Sequence, residues 1–456
     1  MAKSTFVKES TLPYAASTVF EWHTRPGAFE RLNAPWKPVK ILQSSGGIED
    51  GSEVVIQVPI LGPYGITWKF RHRDYVPGEQ FTDEQIAGPF KSWRHIHRVI
   101  PAGEAHCTLR DEITYELPSM AKPLKSLFVR ELERLFQYRH TVLAHDLALH
   151  ARWADRPRVS ILVSGSSGLV GSALTSFLTT AGHSVTRLVR RTPTSPLERA
   201  WNPMLGELAP SVFEGIDVVI HLGGDDISSG RWNAAKKARI KESRVASTAL
   251  LSSTMAKLSR PPRVAIMASA IGYYGDTGAT EVDEGAPRGH GFLADTGWEW
   301  EAASSPLRGS STRLVTMRIG TVLTARGGAL KKMLPAFLAG VGGPLGQGSQ
   351  FMSWISLQDL LGVFEHAIHS ESLIGVANAV SPNSVTNYDF TKSLGSVLMR
   401  PTVLPIPSFI LRLLFGELAD ALLLASTRVV PSALRNDGYT FLHSDLTEAL
   451  QFECGR

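Results

Sequence analysis

Cysteine is nearly absent: Cys107 and Cys454 are the two in 456 residues, too few for a disulfide framework, a thiolate zinc cage or an iron–sulfur cluster. Charge of one sign is scarce as well. Lys plus Arg number 47 against 42 Asp plus Glu, a net +5 that no Lys/Arg run concentrates, so the footprint of nucleic-acid binding is missing. Long apolar runs are also lacking. The most apolar late stretch, Phe409 to Ser426, is broken by Arg412, Glu417 and Asp420 and reads as an amphipathic helix too charged to span a bilayer. The opening Met1-Ala2-Lys3-Ser4-Thr5 carries no apolar signal core, so a cytoplasmic protein without membrane or nucleic-acid partners is expected. No internal repeat or low-complexity tract appears. The rest is ordinary: 43% hydrophobic and 20% charged, at a length that accommodates two or three globular domains.

Two textures meet near residue 155. Before it, short alternating runs such as Ser52–Val58 and Thr108–Tyr115 predict antiparallel strands with one face inward. Ala15 to Phe29 reads as short helical turns. Pro123 to Trp153 reads as one long helix with Leu124, Leu127, Phe128, Leu132, Leu135, Phe136, Val142 and Leu143 as its apolar stripe. That order predicts an α+β domain, a curved sheet gripping a helix, over residues 1–153, with room for an apolar ligand between the two. Ala154-Asp155-Arg156-Pro157 is a polar boundary ending in Pro.

Beyond it, apolar runs alternate with helical stretches. Strands are predicted at Val159–Val163, Ser184–Val189, Asp217–His221, Val264–Ala268 and Leu314–Ile319, with a helix from Gly168 to about Ala181. This is the α/β pattern of a doubly wound parallel sheet, a Rossmann domain over 158–400, followed by a mainly helical C-terminal cap over 401–456.

Directly after the first of these strands comes Ser164-Gly165-Ser166-Ser167-Gly168-Leu169-Val170-Gly171. Glycines at the strand-to-helix turn allow a tight bend, close approach of backbone N–H groups to a pyrophosphate, and packing of the helix on the sheet. Helix N-termini favour the phosphates further. The second strand ends Val189-Arg190-Arg191 and lacks the carboxylate that would accept from an NAD ribose; the arginines, with Arg187, suit a 2′-phosphate, so the expected cofactor is NADP(H). Leu222-Gly223-Gly224 follow the third strand and let the chain pass close to the adenosine half, while His221 reads as a satisfied strand-end histidine.

These blocks resemble the extended short-chain dehydrogenase/reductase superfamily, and more closely its atypical epimerase-family branch, often labelled nucleoside-diphosphate-sugar epimerase. The resemblance continues through Arg231-Trp232-Asn233, Ser243-Arg244, Ser269-Ala270-Ile271-Gly272-Tyr273-Tyr274-Gly275, Trp298-Glu299, Arg318-Ile319-Gly320, Gly327-Gly328-Ala329-Leu330, Gly342-Gly343-Pro344-Leu345-Gly346 and Ser353-Trp354-Ile355, then a tail from Pro401 to Gly438-Tyr439. It implies that Val189, Arg190, Leu222, Gly223 and Arg244 touch the cofactor. Residues 1–150 resemble the SRPBCC (START-like, helix-grip) superfamily through Pro89-Phe90, Trp93, His95 and His97.

The superfamily's proton-handling Tyr, with a Lys four residues on, would fall at Leu293 and Gly297, and its Ser at Ala270. None of these moves a proton. Tyr388 and Lys392 have the spacing but follow the wrong strand. The remaining catalytic candidates are Ser269, Tyr273 and Tyr274; Lys331 and Lys332 read as solvated helix-start lysines. In the first domain, His95 and His97 share a strand face, and His106 follows. With no third ligand at a defining spacing they read as cavity lining, and no metal site is expected. His140, His145 and His150 spread around their helix. Two functions fit these residues: an NADP-dependent oxidoreductase or epimerase acting on a small, nucleotide-linked or carbonyl substrate, or a non-catalytic NADP(H)-responsive sensor with a hydrophobic ligand in its first domain.

Overall fold

The computed structural model describes residues 3–61 and 64–456; Met1 and Ala2 of the opening stretch lie outside them. The chain forms two compact units. The first comprises the residues up to Arg152 with Thr179–Gly182 and Gly455–Arg456, the second Trp153–Leu178 and His183–Cys454.

The first unit is a seven-stranded antiparallel sheet. Its strands are β1 (Ser4–Leu12), β2 (Lys40–Ser44), β3 (Glu53–Leu61), β4 (Tyr64–Val76), β5 (Gln80–Ala87), β6 (Ser92–Pro101) and β7 (Cys107–Glu116), in the order β1-β7-β6-β5-β4-β3-β2. The predicted period-two signal is plain in β7, where buried and half-buried residues alternate throughout. Between β1 and β2 lie α1 (Ala16–Thr24) and α2 (Ala28–Arg31), and after β7 comes α3 (Lys125–Ala151). Phe6, Trp93, Ile113 and Tyr115 of the sheet pack with Leu132 and Phe136 of α3, which makes the gripped helix. The start of its predicted stripe departs from expectation. Leu124 and Leu127 are exposed because a 3₁₀ turn (Ser119–Leu124) leads into the helix and its first turn projects beyond the core.

The second unit holds a parallel sheet. Its strands are β8 (Ser160–Ser164), β9 (Ser184–Val189), β10 (Glu198–Ala200), β11 (Val218–His221), β12 (Val264–Ala270), β13 (Arg313–Ile319) and β14 (Gly375–Ala379), in the order β10-β9-β8-β11-β12-β13-β14. All these pairings are parallel, with Ser164 level with Leu188 on one side and His221 on the other. The central strands β8, β11 and β12 are buried on both faces, as continuous apolar runs require. Helices α4 (Leu169–Thr180), α5 (Ala234–Met255) and α6 (Phe292–Ala302) lie between successive strands. The strand order reverses direction at β8 and β11, the switch point where open α/β sheets bind ligands. After β14 the chain is mainly helical, and Phe390, Leu394, Leu446 and Leu450 share a core with Leu323, Leu330 and Trp354. The helix Ser408–Phe415 buries only Leu411 and leaves Phe409, Leu413 and Leu414 exposed. Among the described residues, no helix is long and apolar enough to cross a membrane.

Candidate functional site

At the switch point the backbone dictates the glycines. Gly165 has φ +73, and a Cβ there would stand 2.8 Å from the carbonyl carbon of Leu222, so both conformation and space exclude a side chain. A Cβ on Gly171 would come within 2.2 Å of the Gly165 carbonyl oxygen, which is how closely α4 packs on the turn. Gly168 N–H donates to Gly165 O at 3.0 Å and closes the bend. Ser167 and Gly168 are exposed, Leu169 and Val170 half-buried, and Ser166 buried. The first-turn N–H groups of α4 have no intrahelical acceptor. Leu222 and Gly223 line the same crevice from the end of β11, since Gly165 meets their backbone.

His221 is fully buried between Ser164 Oγ (2.5 Å) and Ser247 Oγ (3.0 Å). Burial, helped by the Arg244 charge, pulls its pKa down to about 3, so it is a neutral clamp between β8 and α5. Arg244 lies against Gly224, where a Cβ would come within 3.0 Å of the guanidinium carbon, and donates to Ile240 O at 2.9 Å. The two arginines after β9 differ. Arg191 is committed to Glu198 by bonds of 2.9 and 2.5 Å, and that hydrogen bonding holds the Glu198 carboxyl down at about 2. Arg190 is exposed and has no hydrogen-bonding or ionic partner among the described residues.

Of the three candidate catalytic residues, two are bound into a buried network. Arg318 on β13 forms a two-pronged pair with Glu301 on α6, both bonds 2.8 Å. Ser269 Oγ donates to the same Glu301 carboxylate at 2.6 Å. Tyr274 donates its hydroxyl to Asn378 Oδ1 and accepts from Arg318, both at 2.8 Å. Burial pushes the Tyr274 phenol up to about 12, even beside Arg318. Neither hydroxyl is free to meet a substrate. Tyr273 differs: the Arg318 guanidinium lies 3.5 Å from its ring centre, and its hydroxyl has no partner among the described residues. On α6, Leu293 packs against Gly272, and a Cβ on Gly297 would touch the Tyr273 backbone at 3.3 Å, so the helix face opposite this loop carries no ionisable group at those two positions. Tyr388 and Lys392 lie together on the helix Asn387–Leu398, a cation over a half-exposed ring. Lys332 is tied to Ser228, and the buried Lys236, which sequence reasoning passed over, holds the loop after Gly224 through Asp225, Asp226 and Ser229.

The first unit carries a second polar centre. Strand pairing sets His72, Asp83 and His95 side by side across β4, β5 and β6, and sets His97 opposite Asp111. Asp111 Oδ1 lies 2.8 Å from His95 Nε2 and 2.7 Å from His97 Nδ1; its Oδ2 lies 2.7 Å from His140 Nε2. On the far side, Asp83 Oδ2 is 3.2 Å from His97 Nε2 and 3.7 Å from His95 Nδ1. Burial would neutralise His97, yet Asp111 and Asp83 raise it to about 9, while burial and the His97 charge lower His95 to about 4. The adjoining cavity, lined by His23, His97, Asp111, Arg139 and His140, has about 10 Å³, space for a water. His106 is exposed on the β6–β7 turn, away from this centre. The partners of His95 and His97 are Asp111 and Asp83, which no spacing along the chain could reveal because they arrive from the two neighbouring strands.

Comparison with known proteins agrees with the geometry. Residues 161–372 match the NAD dependent epimerase/dehydratase family, 406–453 a domain of unknown function (DUF1731), and 66–147 another (DUF8410). An epimerase family protein of Mycobacterium bovis is 43% identical over 296 residues, 65% of this chain and 98% of that one. The epimerase family protein SDR39U1 of Homo sapiens is 37% identical over 64% of this chain and 98% of its own length. Among solved structures, the nucleoside-diphosphate sugar epimerase of Corynebacterium glutamicum superposes with a TM-score of 0.80 at 32% identity, over 99% of this chain and 90% of that one. Human SDR39U1 with NADPH gives 0.61 at 34% identity, over 65% of this chain and 99% of that one. With a glycine turn built for close approach and relatives of this identity matched over nearly their whole length, the chain belongs to the epimerase family.

Proposed function

We propose that the second unit binds NADP(H) and acts as an epimerase-like oxidoreductase on a small substrate of the nucleotide-linked sugar or carbonyl/hydroxyl class. The observation that carries this reading is the Gly165–Gly171 turn, where two would-be Cβ atoms collide with backbone and the α4 N-terminus stands open. The human relative, solved with NADPH, supports the choice of cofactor. Gly165, Ser166, Ser167, Gly168, Leu169 and Val170 would hold the diphosphate, Val189 and Arg190 the adenosine side, and Leu222, Gly223, Gly224 and Arg244 the crevice beyond. When bound, the nicotinamide supplies hydride transfer. The chain's contribution is orientation and a proton, and Tyr273 is the candidate whose hydroxyl is uncommitted.

One observation favours a second reading. Leu293 and Gly297 replace the proton-handling pair, and Ser269 and Tyr274 are spent inside the fold. On that basis the unit would bind cofactor without turning it over and report redox state. Fluorescence titration with NADPH tests the shared premise: saturable binding is expected, and Arg190→Glu should weaken NADPH at least tenfold while leaving NADH within about threefold. Equal loss of both cofactors would sink the 2′-phosphate assignment. Turnover across sugar nucleotides and carbonyl compounds separates the two readings. Activity lost in Tyr273→Phe supports the enzyme, and tight binding without any turnover supports the sensor.

A further inference from the structure

We propose that Asp83, His95 and His97 of the first unit bind one divalent transition-metal ion of the zinc class. The proposal rests on where lone pairs point. If His95 Nε2–H and His97 Nδ1–H donate to Asp111 Oδ1, at 2.8 and 2.7 Å, the opposite nitrogens face the Asp83 carboxylate without hydrogens. Three electron-rich atoms then converge from three side chains, and one ligand atom from each lies within 4.8 Å of the others. Such convergence in a buried site is balanced by positive charge, either a proton on His97 or a bound cation. Tetrahedral zinc with bonds of 2.0–2.1 Å keeps its ligands about 3.3 Å apart. The observed separations from Asp83 Oδ2 are 3.2 Å to His97 Nε2 and 3.7 Å to His95 Nδ1.

The residues around these ligands point the same way. Asp83 Oδ1, the other oxygen of that carboxylate, is held by the buried His72 Nδ1 in an ion pair of 2.8 Å. Asp111 also serves both imidazoles at once, the carboxylate–histidine arrangement that fixes tautomer and ring direction behind a metal, and is itself anchored through His140 to Ser10. Imidazole as the majority donor excludes calcium and magnesium, and nitrogen with one carboxylate suits zinc or its first-row neighbours. Asp83 leaves 24% of its side chain exposed, which gives an ion a way in. The competing arrangement is a closed network in which a proton on His97 bridges the two carboxylates and nothing else binds.

The test uses the full chain, stripped with a chelator and titrated with Zn²⁺ alone. One equivalent should bind and raise the melting temperature, with no rise from Mg²⁺. Asp83→Asn should lose at least tenfold in Zn²⁺ affinity, and Asp111→Asn, a positioning change, between ten- and a hundredfold. A folded wild type that takes up no Zn²⁺, or variants that bind it as the wild type does, would overturn the proposal. Because buried substitutions in this sheet risk misfolding, a second measurement on wild type alone also decides. The Co²⁺-loaded protein should show tetrahedral d–d absorption and at least two exchangeable, hyperfine-shifted imidazole N–H protons, those donated to Asp111. Fewer than two would refute the site as drawn.

Discussion

Each unit of the molecule buries a cluster of charged and polar side chains, and the two clusters are built differently. In the second unit, Arg318, Glu301, Ser269, Tyr274 and Asn378 satisfy one another: every prong of the guanidinium has an acceptor, and Asn378 donates onward to Val430 O at 3.0 Å. In the first, Asp111 is equally well paired, but the His72–Asp83 ion pair is out of line for a hydrogen bond, His95 Nδ1 stands 3.7 Å from Asp83 Oδ2, and Arg139 Nε has no acceptor among the described residues. A buried polar group costs free energy unless paired, so a closed cluster explains itself as scaffold, whereas an open one asks what else belongs there. The same distinction separates Arg191 from Arg190 and Tyr274 from Tyr273. Residue type and position along the chain do not distinguish these pairs; their partners do.

The comparison breaks most visibly if the closed cluster is opened. Glu301→Gln strands a guanidinium that is 4% exposed and should cost about 3–5 kcal/mol in urea unfolding, the usual effect of removing one partner from a buried pair. A loss below about 1 kcal/mol would mean the network is not the scaffold described. The His221 clamp gives a pH-dependent version. Its folded pKa of about 3 lies below the unfolded value near 6.5, so the unfolded chain takes up the proton first. Its contribution is therefore intact above pH 6.5 and is lost as pH falls from 6.5 towards 3. Between pH 7 and 5 that linkage amounts to about 2 kcal/mol, and His221→Gln should remove it from the pH profile of stability. His23, His95 and His369, also lowered to about 4, remain in both proteins and cancel from the difference. Tyr274→Phe comes next, about 1–2 kcal/mol for the bonds to Asn378 and Arg318, with NADPH affinity unchanged. A loss of cofactor binding without a loss of stability would instead put Tyr274 in the site.

Much of the second unit was legible because local signals and global fold agree there. The apolar runs are long enough to mark strands buried on both faces, and the glycine turn announces itself by its neighbours. The strand ends at 189 and 221 fall where expected. What escaped was pairing across the sheet or between distant segments. Nothing near Ser269 or Tyr274 in the chain discloses Glu301 and Asn378, 32 and 104 residues away. Nothing near His95 discloses Asp83, because their adjacency is set by hairpin register. The short β10 (Glu198–Ala200) was likewise invisible, three residues inside a Pro-rich loop, yet it brings Glu198 to Arg191.

That last contact yields the smallest and sharpest prediction. Arg190 and Arg191 are adjacent, identical in type and equally suited by sequence to a 2′-phosphate. Glu198 already holds Arg191 through two hydrogen bonds and is itself anchored by Thr194 N–H at 2.8 Å, so this guanidinium spends its charge on closing the 191–198 loop. Arg191 leaves 55% of its side chain exposed, and a pair this open to solvent on one side adds little to stability. Arg191→Ala should therefore change NADPH affinity less than about threefold and leave the melting temperature nearly in place. Arg190→Ala, at an exposed side chain without a partner among the described residues, should weaken NADPH about tenfold, one guanidinium–phosphate contact's worth, and NADH hardly at all. If the two alanine variants behaved alike in parallel titrations, the rule drawn from the two buried clusters, that a partnered group builds the fold and an unpartnered one serves a ligand, would fail at the position where it is easiest to check.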